Sequence, residues 1–178
     1  IGGGVIGLEM ASYFNSIGTE VVVVEMLDRI GGPTDIEMSE MLRGIYEQKG
    51  VKFMLKTRAV AVNGSTLSVE NADGKADLKA DKILVAIGRR ANTAGMGYEN
   101  IGLYMERGAI QTDDQMKTNV SDVYAVGDVN GKSMLAHTAY REAEVAVNVI
   151  AGEKDSMDYS AIPAVIYTNP EVSSVGET

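Results

Sequence analysis

The first 25 residues contain the feature that most restricts the fold of this chain. Residues 2–7 read Gly-Gly-Gly-Val-Ile-Gly, which fits the pattern G-x-G-x-x-G and is followed by an apolar-faced helix as far as Gly18. Gly2 permits a tight turn from strand to helix, Gly4 lets the backbone come close to a pyrophosphate, and Gly7 lets the helix pack closely on a sheet. Because backbone N–H groups and the positive helix end face the turn, the motif predicts a dinucleotide phosphate site.

The acid that follows the helix indicates which dinucleotide is bound. Residues 21–24 are four consecutive valines, typical of a strand covered on both faces, and Glu25 stands at its end. That position is about 20 residues past the glycines, where a carboxylate accepts hydrogen bonds from the ribose hydroxyls of adenosine. A carboxylate there repels a 2′-phosphate, so the sequence predicts NAD rather than NADP. Arg29, in the polar turn beyond, keeps NADP open as an alternative.

Charge and cysteine content narrow the class of protein. The 178 residues carry a net charge of -9, which argues against an electrostatic grip on nucleic acid or on an anionic membrane. The sequence has no cysteine, so neither a disulfide framework nor a thiol redox centre can form within it. We find no transmembrane run or signal peptide and expect a cytoplasmic protein. Because the chain begins inside a motif, we expect it to be a piece of a larger protein.

The first half of the sequence predicts an α/β fold with a Rossmann-like parallel sheet. A second helix is expected from Asp35 to Lys49, with Thr34 or Asp35 as its N-cap, and a third strand at residues 51–55. This order completes a βαβαβ unit, which is one mononucleotide-binding half.

An antiparallel insertion is predicted to follow. The dipeptides Asn63-Gly64 and Asp73-Gly74 are favoured hairpin turns between short alternating runs, so we expect a three-stranded meander. Residues 83–87, which are too apolar for an edge strand, are expected to rejoin the parallel sheet and end at Gly88. Composition shifts there, and we place a domain boundary near this glycine.

The second half has fewer periodic signals. Residues 89–119 predict a long connection with short strands, and residues 123–126 predict a buried strand that runs into Gly127 and Asp128. A helix is expected over residues 135–151, with a buried stripe that comprises Ala136, Tyr140, Ala143, Val147 and Ile150. The remainder ends as a strand-like run without a visible partner.

Further motifs follow the opening glycines: Gly88-Arg89-Arg90-Ala91-Asn92-Thr93, Thr118-Asn119-Val120, Tyr124-Ala125-Val126-Gly127-Asp128, Met134-Leu135-Ala136-His137 and Tyr167-Thr168-Asn169-Pro170-Glu171. Together with the glycines, these motifs resemble those of the flavoprotein disulfide reductase family, and the match covers essentially the whole chain. Val5 and Glu25 favour the branch of this family that oxidises dihydrolipoyl groups, because glutathione-reducing relatives usually carry an aromatic gate and an arginine at these positions. Ala91 departs from the family, which usually has proline there.

The resemblance implies that NAD and FAD are the cofactors. Glu25 resembles the ligand of the NAD ribose, Ala59 a residue beside the adenine, and Gly88 the glycine on the nicotinamide side. Asp128 resembles the acid that holds the ribityl hydroxyl of FAD. The pyrophosphate loop of NAD corresponds to Gly2, Gly3, Gly4, Val5, Ile6, Gly7, Leu8 and Glu9, and the helix start that faces the flavin ring corresponds to Met134, Leu135, Ala136 and His137.

No residue of this chain is assigned to catalysis or to a metal. The family's redox cysteine pair and its histidine–glutamate acid–base pair have no counterpart in these residues. His137 is the only histidine, and we expect it to be a residue of a helix start rather than a catalytic base.

The resemblance also implies the organisation and the activity of the parent protein. Residues 1–88 would be an NAD-binding domain, residues 89–160 the C-terminal part of an FAD-binding region, and residues 161–178 the start of a dimer interface domain. The parent homodimer would oxidise dihydrolipoyl groups on a carrier protein of a 2-oxo acid dehydrogenase or glycine cleavage complex and pass hydride through FAD to NAD. The piece alone is not expected to be catalytically competent.

Two other functions stay open from the sequence. One is another NAD(P)H-dependent flavoenzyme, such as a mercuric reductase or a soluble transhydrogenase. The other is a stand-alone, non-catalytic NAD-binding module, which the absence of cysteine favours. Asp128 and the residues around it argue against that module, because a pure NAD binder has no use for a flavin motif.

Overall fold

The computed structural model describes residues 1–177, which divide into two compact units. The first unit comprises Ile1–Gly88 together with Pro163–Gly176, and the second comprises Arg89–Ile162. Parallel and antiparallel strands occur together with helices, which confirms the predicted α/β fold. Within the described residues, no helix is long and apolar enough to cross a membrane.

The first unit begins with the predicted strand–helix alternation. Helix α1 spans Val5–Ser16, strand β1 spans Val22–Val24, helix α2 spans Ile36–Gln48 and strand β2 spans Lys52–Met54. β1 and β2 pair in parallel, with Val23 opposite Phe53. Asp35 caps α2, because its carboxylate accepts a hydrogen bond of 2.8 Å from the backbone N–H of Glu37.

Backbone hydrogen bonds extend this sheet on the other side of β1. The N–H of Gly2 donates to Val24 O at 2.8 Å, and the N–H of Ala86 donates to Ile1 O at 2.8 Å. Residues 83–87 therefore lie beside this sheet as predicted, but they do not form a strand. The expectation of an interior position is wrong: Ile87 is 74% exposed, because within residues 1–177 no further strand lies beyond this segment.

The inserted meander has the predicted order. Strands β3 (Arg58–Asn63), β4 (Thr66–Asn71) and β5 (Gly74–Lys79) pair in antiparallel fashion in the sequence β3-β4-β5. Leu67 and Val69 of β4 are buried with Val24, so the meander packs against the end of β1.

The second unit contains less regular structure. A 3₁₀ turn at Tyr98–Ile101 is followed by strands β6 (Met105–Glu106) and β7 (Ala109–Ile110), a second 3₁₀ turn at Gly127–Asn130 and helix α3 (Ala136–Ile150). The predicted strand at residues 123–126 is wrong. This segment makes only an isolated bridge, between Lys117 and Tyr124, and the described residues offer it no continuous neighbouring strand.

Helix α3 lies where the sequence predicts, but its buried face differs from the predicted stripe. The buried residues are Thr138, Glu142, Val145 and Ala146, whereas Tyr140 is 80% exposed, and Val147 and Ile150 are exposed as well. An apolar pattern does not find the observed face because this face includes a carboxylate.

The last strands belong to the first unit. β8 (Ala164–Ile166) and β9 (Val172–Ser174) form an antiparallel hairpin, so the final run pairs within itself. Ile166 is buried in the same core as Leu8 and Leu42. The hydroxyl of Tyr46 accepts a hydrogen bond of 3.0 Å from the N–H of Asn169, which joins the hairpin loop to α2.

Candidate cofactor-binding sites

The glycine turn before α1 is packed too closely for side chains at two positions. A Cβ on Gly2 would lie 2.3 Å from Ala86 O, and the φ of Gly2 is +100°. A Cβ on Gly7 would lie 2.0 Å from Gly2 O. These contacts account for glycine at both positions, since any side chain would displace backbone.

Gly4 differs from its neighbours because the space beside it is open. No atom lies within 4 Å of where its Cβ would stand. Gly4 is also the N-cap of α1, and none of the described side chains caps it, so the first N–H groups of the helix are available to an anion. An open backbone at a helix N-terminus fits the pyrophosphate of a dinucleotide.

Glu25 is fixed at the end of β1 by two backbone donors. Its Oε2 accepts a hydrogen bond of 2.6 Å from the N–H of Gly3, and its Oε1 accepts one of 2.8 Å from the N–H of Leu27. Each carboxylate oxygen retains a lone pair for a further donor. The arrangement places a charged acceptor of hydroxyl groups directly beside the glycine turn.

The other predicted NAD-site residues lie on α1, on β3 and at Gly88. Val5, Ile6, Leu8 and Glu9 form the first turns of α1, where Leu8 is buried and Glu9 accepts a hydrogen bond of 3.0 Å from the N–H of Tyr167. Ala59 lies in β3 and packs with the cluster of Val24 and Leu67. Gly88 is exposed, with a φ of +113° and no atom within 4 Å of where a Cβ would stand.

In the second unit, Asp128 lies on the 3₁₀ turn at Gly127–Asn130. Its side chain is 52% exposed, and its carboxylate lies 4.0 Å from Nη2 of Arg89. A half-exposed short acid can accept two hydrogen bonds from neighbouring hydroxyl groups, which fits a polyol such as the ribityl chain of a flavin.

The predicted flavin-facing segment forms the start of α3. Leu135 is the N-cap residue and makes no side-chain cap, Met134 and Leu135 are half-buried, and Ala136 and His137 are exposed. The uncapped backbone of this helix start is therefore able to face a bound group, as it is at α1.

The sequence did not single out Glu142, which the structure places beside the Asp128 turn. Glu142 is fully buried in α3, and its Oε2 accepts hydrogen bonds from the N–H of Gly127 at 2.5 Å and from Nδ2 of Asn130 at 3.0 Å. Its Oε1 accepts a hydrogen bond of 2.7 Å from the hydroxyl of Tyr159. Desolvation and the adjacent Glu142 carboxylate raise the pKa of Tyr159 above its ordinary value. The signal in the sequence is the spacing of Thr138, Glu142 and Val145, which share one helix face.

The described residues contain no set of side chains suited to a metal ion: among residues 1–177, no three His, Cys, Asp or Glu side chains converge. What the site residues offer is open backbone N–H groups at two uncapped helix starts, the fixed carboxylate of Glu25 and the half-exposed carboxylate of Asp128. Groups of this chemistry are able to bind and orient phosphates and hydroxyls.

Comparisons with known proteins identify the family of this chain. The family model described as "Pyridine nucleotide-disulphide oxidoreductase" matches residues 1–143. A dihydrolipoyl dehydrogenase of Chlamydia pneumoniae is 41% identical over 99% of this chain, and a dihydrolipoamide dehydrogenase of Chaetomium thermophilum is 43% identical over 100% of it.

A solved structure of a flavoprotein disulfide reductase has a similar fold. The flavoprotein disulfide reductase RclA of Escherichia coli, solved as a Cu(II) complex, superposes with a TM-score of 0.89 and 28% identity over 99% of this chain and 42% of its own. The chain spans 38% of the length of the Chlamydia pneumoniae relative and 37% of the Chaetomium thermophilum relative. Because the family model covers most of the sequence, this chain belongs to the pyridine nucleotide-disulphide oxidoreductase family.

Proposed function

We propose that these residues supply the NAD-binding site and part of the FAD-binding site of an enzyme that oxidises dihydrolipoyl groups and reduces NAD. The observation that carries the proposal is the identity of 41–43% to proteins named dihydrolipoyl or dihydrolipoamide dehydrogenase over nearly the whole chain. The position of Glu25 supports the choice of NAD, because its carboxylate would repel a 2′-phosphate.

The residues of this chain bind and orient, and the bound FAD and NAD supply the hydride-transfer chemistry. The backbone around Gly4 and the start of α1 would hold the pyrophosphate of NAD, and Glu25 would accept hydrogen bonds from its ribose. Asp128 would accept hydrogen bonds from the ribityl hydroxyls of FAD, and the start of α3 would face the flavin ring. No proton-transfer role falls to the described residues.

The partner of the whole protein would be a lipoyl-carrying protein of a 2-oxo acid dehydrogenase or glycine cleavage complex. The names of the relatives support a dihydrolipoyl substrate, and in these complexes such a group is carried on a protein. Assembly as a homodimer is part of the same proposal and is checked by light scattering of the full-length protein.

A substrate panel with the full-length protein tests the activity. We expect bound FAD, rapid reduction of NAD by dihydrolipoamide, slower reduction of NADP, and no reduction of glutathione disulfide or mercuric ion by NADPH. Mercuric ion reduction without activity on dihydrolipoamide would favour a mercuric reductase instead. A protein that binds NAD but no flavin would favour the stand-alone NAD-binding module.

A further inference from the structure

We propose that Glu142 is a positioning residue that sets the orientation of Asp128 toward the flavin. The inference rests on the proposed function, because it assumes that Asp128 holds FAD. It starts from a carboxylate in an unusual place: Glu142 is 0% exposed, and the ion pairs formed within residues 1–177 give it no lysine or arginine partner. Burial of an acid without a counter-ion is unfavourable, so its hydrogen bonds must compensate for the lost hydration.

The hydrogen bonds of Glu142 converge on the turn that carries Asp128. A single oxygen, Oε2, accepts from the N–H of Gly127 at 2.5 Å and from Nδ2 of Asn130 at 3.0 Å. These donors stand on either side of Asp128 in the sequence and fix both ends of the 3₁₀ turn. Because both donors bind the same carboxylate oxygen, this clamp restrains the two ends of the turn together.

Asp128 itself has little to hold it. Its side chain is half-exposed, and its described partner is Arg89, at the outer limit of an ion pair at 4.0 Å. The direction of its carboxylate therefore follows the backbone of the turn. Gly127 has a φ of +74°, a left-handed conformation that the hydrogen bond from its N–H helps to maintain.

A second layer of contacts supports Glu142 from the opposite side. The hydroxyl of Tyr159 donates to Oε1 at 2.7 Å, and Nζ of Lys132 lies 5.4 Å from the centre of the Tyr159 ring. Lys132 follows Gly131, the C-cap residue of the turn, and its N–H donates to Oδ1 of Asn130 at 2.9 Å. Glu142 thus stands at the centre of a polar network that contains both ends of the Asp128 turn.

Two substitutions separate hydrogen bonding from simple packing. In Glu142→Gln the amide oxygen can accept from Gly127 and Asn130, while the amide NH₂ donates to the Tyr159 oxygen, which is both donor and acceptor. We expect this variant to retain FAD affinity within about threefold. Glu142→Leu fills a similar volume but leaves the turn donors unpaired, and we expect it to lower FAD affinity by about tenfold or more.

The experiment measures FAD dissociation constants by flavin fluorescence on the full-length protein, together with NADH affinity as an internal reference. Glu144→Leu is the matched control, because Glu144 lies on the same helix with an exposed side chain. Glu144→Leu is expected to leave both affinities unchanged, and Glu142→Leu is expected to weaken FAD binding alone. If Glu142→Leu does not fold, Asn130→Ala replaces it, because this substitution removes one clamp donor without altering α3. We expect Asn130→Ala to weaken FAD binding by about threefold to tenfold.

A double-substitution cycle with Asp128→Asn distinguishes positioning from a merely structural role. If Glu142 acts through Asp128, Glu142→Leu combined with Asp128→Asn weakens FAD binding no more than the stronger single change. Additive losses, or unchanged FAD affinity in both Glu142→Leu and Asn130→Ala, would overturn the role of Glu142 alone. Failure of the unmodified full-length protein to bind FAD would instead overturn the proposed function, and this role with it.

Discussion

The carboxylate of Glu25 lies 2.6 Å from the backbone nitrogen of Gly3, so the acid at the end of β1 and the glycine turn before α1 form one site. A second hydrogen bond, from the N–H of Leu27, holds the other carboxylate oxygen. The Glu25 carboxylate is thus already oriented, so that little conformational entropy would be lost if it accepted hydrogen bonds from a ribose, as we propose.

We predict that Glu25→Ala in the full-length protein weakens NADH binding by about 1 to 3 kcal/mol, the usual scale for a lost hydrogen bond to a charged group. Calorimetric titration with NADH and NADPH measures the effect. Glu20→Ala is the control, because Glu20 pairs with Lys52 at the surface, at 2.6 Å, away from the glycine turn. Equal or tighter binding of NADPH by the unmodified protein would contradict the role given to Glu25.

Substitution by alanine is predicted to lower the stability of the protein at Gly7 but to change it little at Gly4. Gly7→Ala places a Cβ 2.0 Å from Gly2 O, so the free energy of unfolding is expected to fall by about 1 to 3 kcal/mol. Gly4→Ala meets no atom within 4 Å and has an ordinary φ of -77°, so its stability is expected to change by less than about 1 kcal/mol.

The second part of this prediction concerns NADH binding by Gly4→Ala. The added methyl group of Gly4→Ala stands in the open space that a pyrophosphate would occupy, so NADH affinity should fall although the protein remains folded. Urea unfolding and NADH titration of both variants measure the two effects. Unchanged NADH affinity in Gly4→Ala would argue that the pyrophosphate lies elsewhere.

The glycine site was predictable from sequence because local geometry dictates the residue types. At Gly2 and Gly7 a side chain would collide with backbone, and the strand after them ends at Glu25 within the same 25 residues. The contacts of Gly7 with Gly2 and of Glu25 with Gly3 thus lie within one βαβ unit, and the pattern carries its own spacing, whereas the contact of Gly2 with Ala86 does not.

The Glu142 network was not predictable because its partners are distant in sequence. Gly127 and Tyr159 lie 15 and 17 residues from Glu142, and an acid inside an apolar pattern indicates a solvent-exposed face when the sequence alone is considered. The same reasoning explains the wrong stripe on α3: hydrogen bonds from distant donors, rather than apolar periodicity, select the buried face. The strand prediction at residues 123–126 is wrong for a related reason, because apolar residues predict burial but do not show whether a neighbouring strand is present.

Asp155 is predicted to make stability sensitive to acid. Arg141 donates hydrogen bonds of 2.9 and 2.6 Å to its two oxygens, and Asn148 donates one of 2.8 Å. The hydrogen bonds from Arg141, followed by that from Asn148, lower the pKa of Asp155 from 3.8 to about 2. A lowered pKa contributes stability that is complete above 3.8 and is lost as the pH falls toward about 2.

Asp155→Asn removes this contribution. We expect the variant to be less stable than the unmodified protein at neutral pH. The difference in the free energy of unfolding should shrink as the pH falls from 3.8 toward about 2. Urea unfolding over a pH series measures this difference in stability. Glu153→Gln, at an exposed residue near Asp155, is the control. A difference that stays constant down to the most acid pH would show that the carboxylate charge is not the cause.

Tyr159 is predicted to make the stability of the protein sensitive to alkaline pH. Desolvation by burial, and then the hydrogen bond to Glu142 and its charge, raise the pKa of Tyr159 above the ordinary 10.0. The folded protein therefore holds this proton more tightly than the unfolded chain. The resulting stability is complete below pH 10.0 and is lost as the pH rises toward the folded pKa.

Tyr159→Phe should remove this alkaline sensitivity together with one hydrogen bond to a charged acceptor. At neutral pH the variant is expected to be less stable than the unmodified protein, and above pH 10.0 the gap should narrow because only the unmodified protein retains the proton linkage. Tyr104→Phe, at an exposed tyrosine of the same unit, should leave the pH dependence of unfolding unchanged. Parallel unfolding curves for Tyr159→Phe and the unmodified protein up to strongly alkaline pH would mean that the Tyr159 hydroxyl does not donate to Glu142.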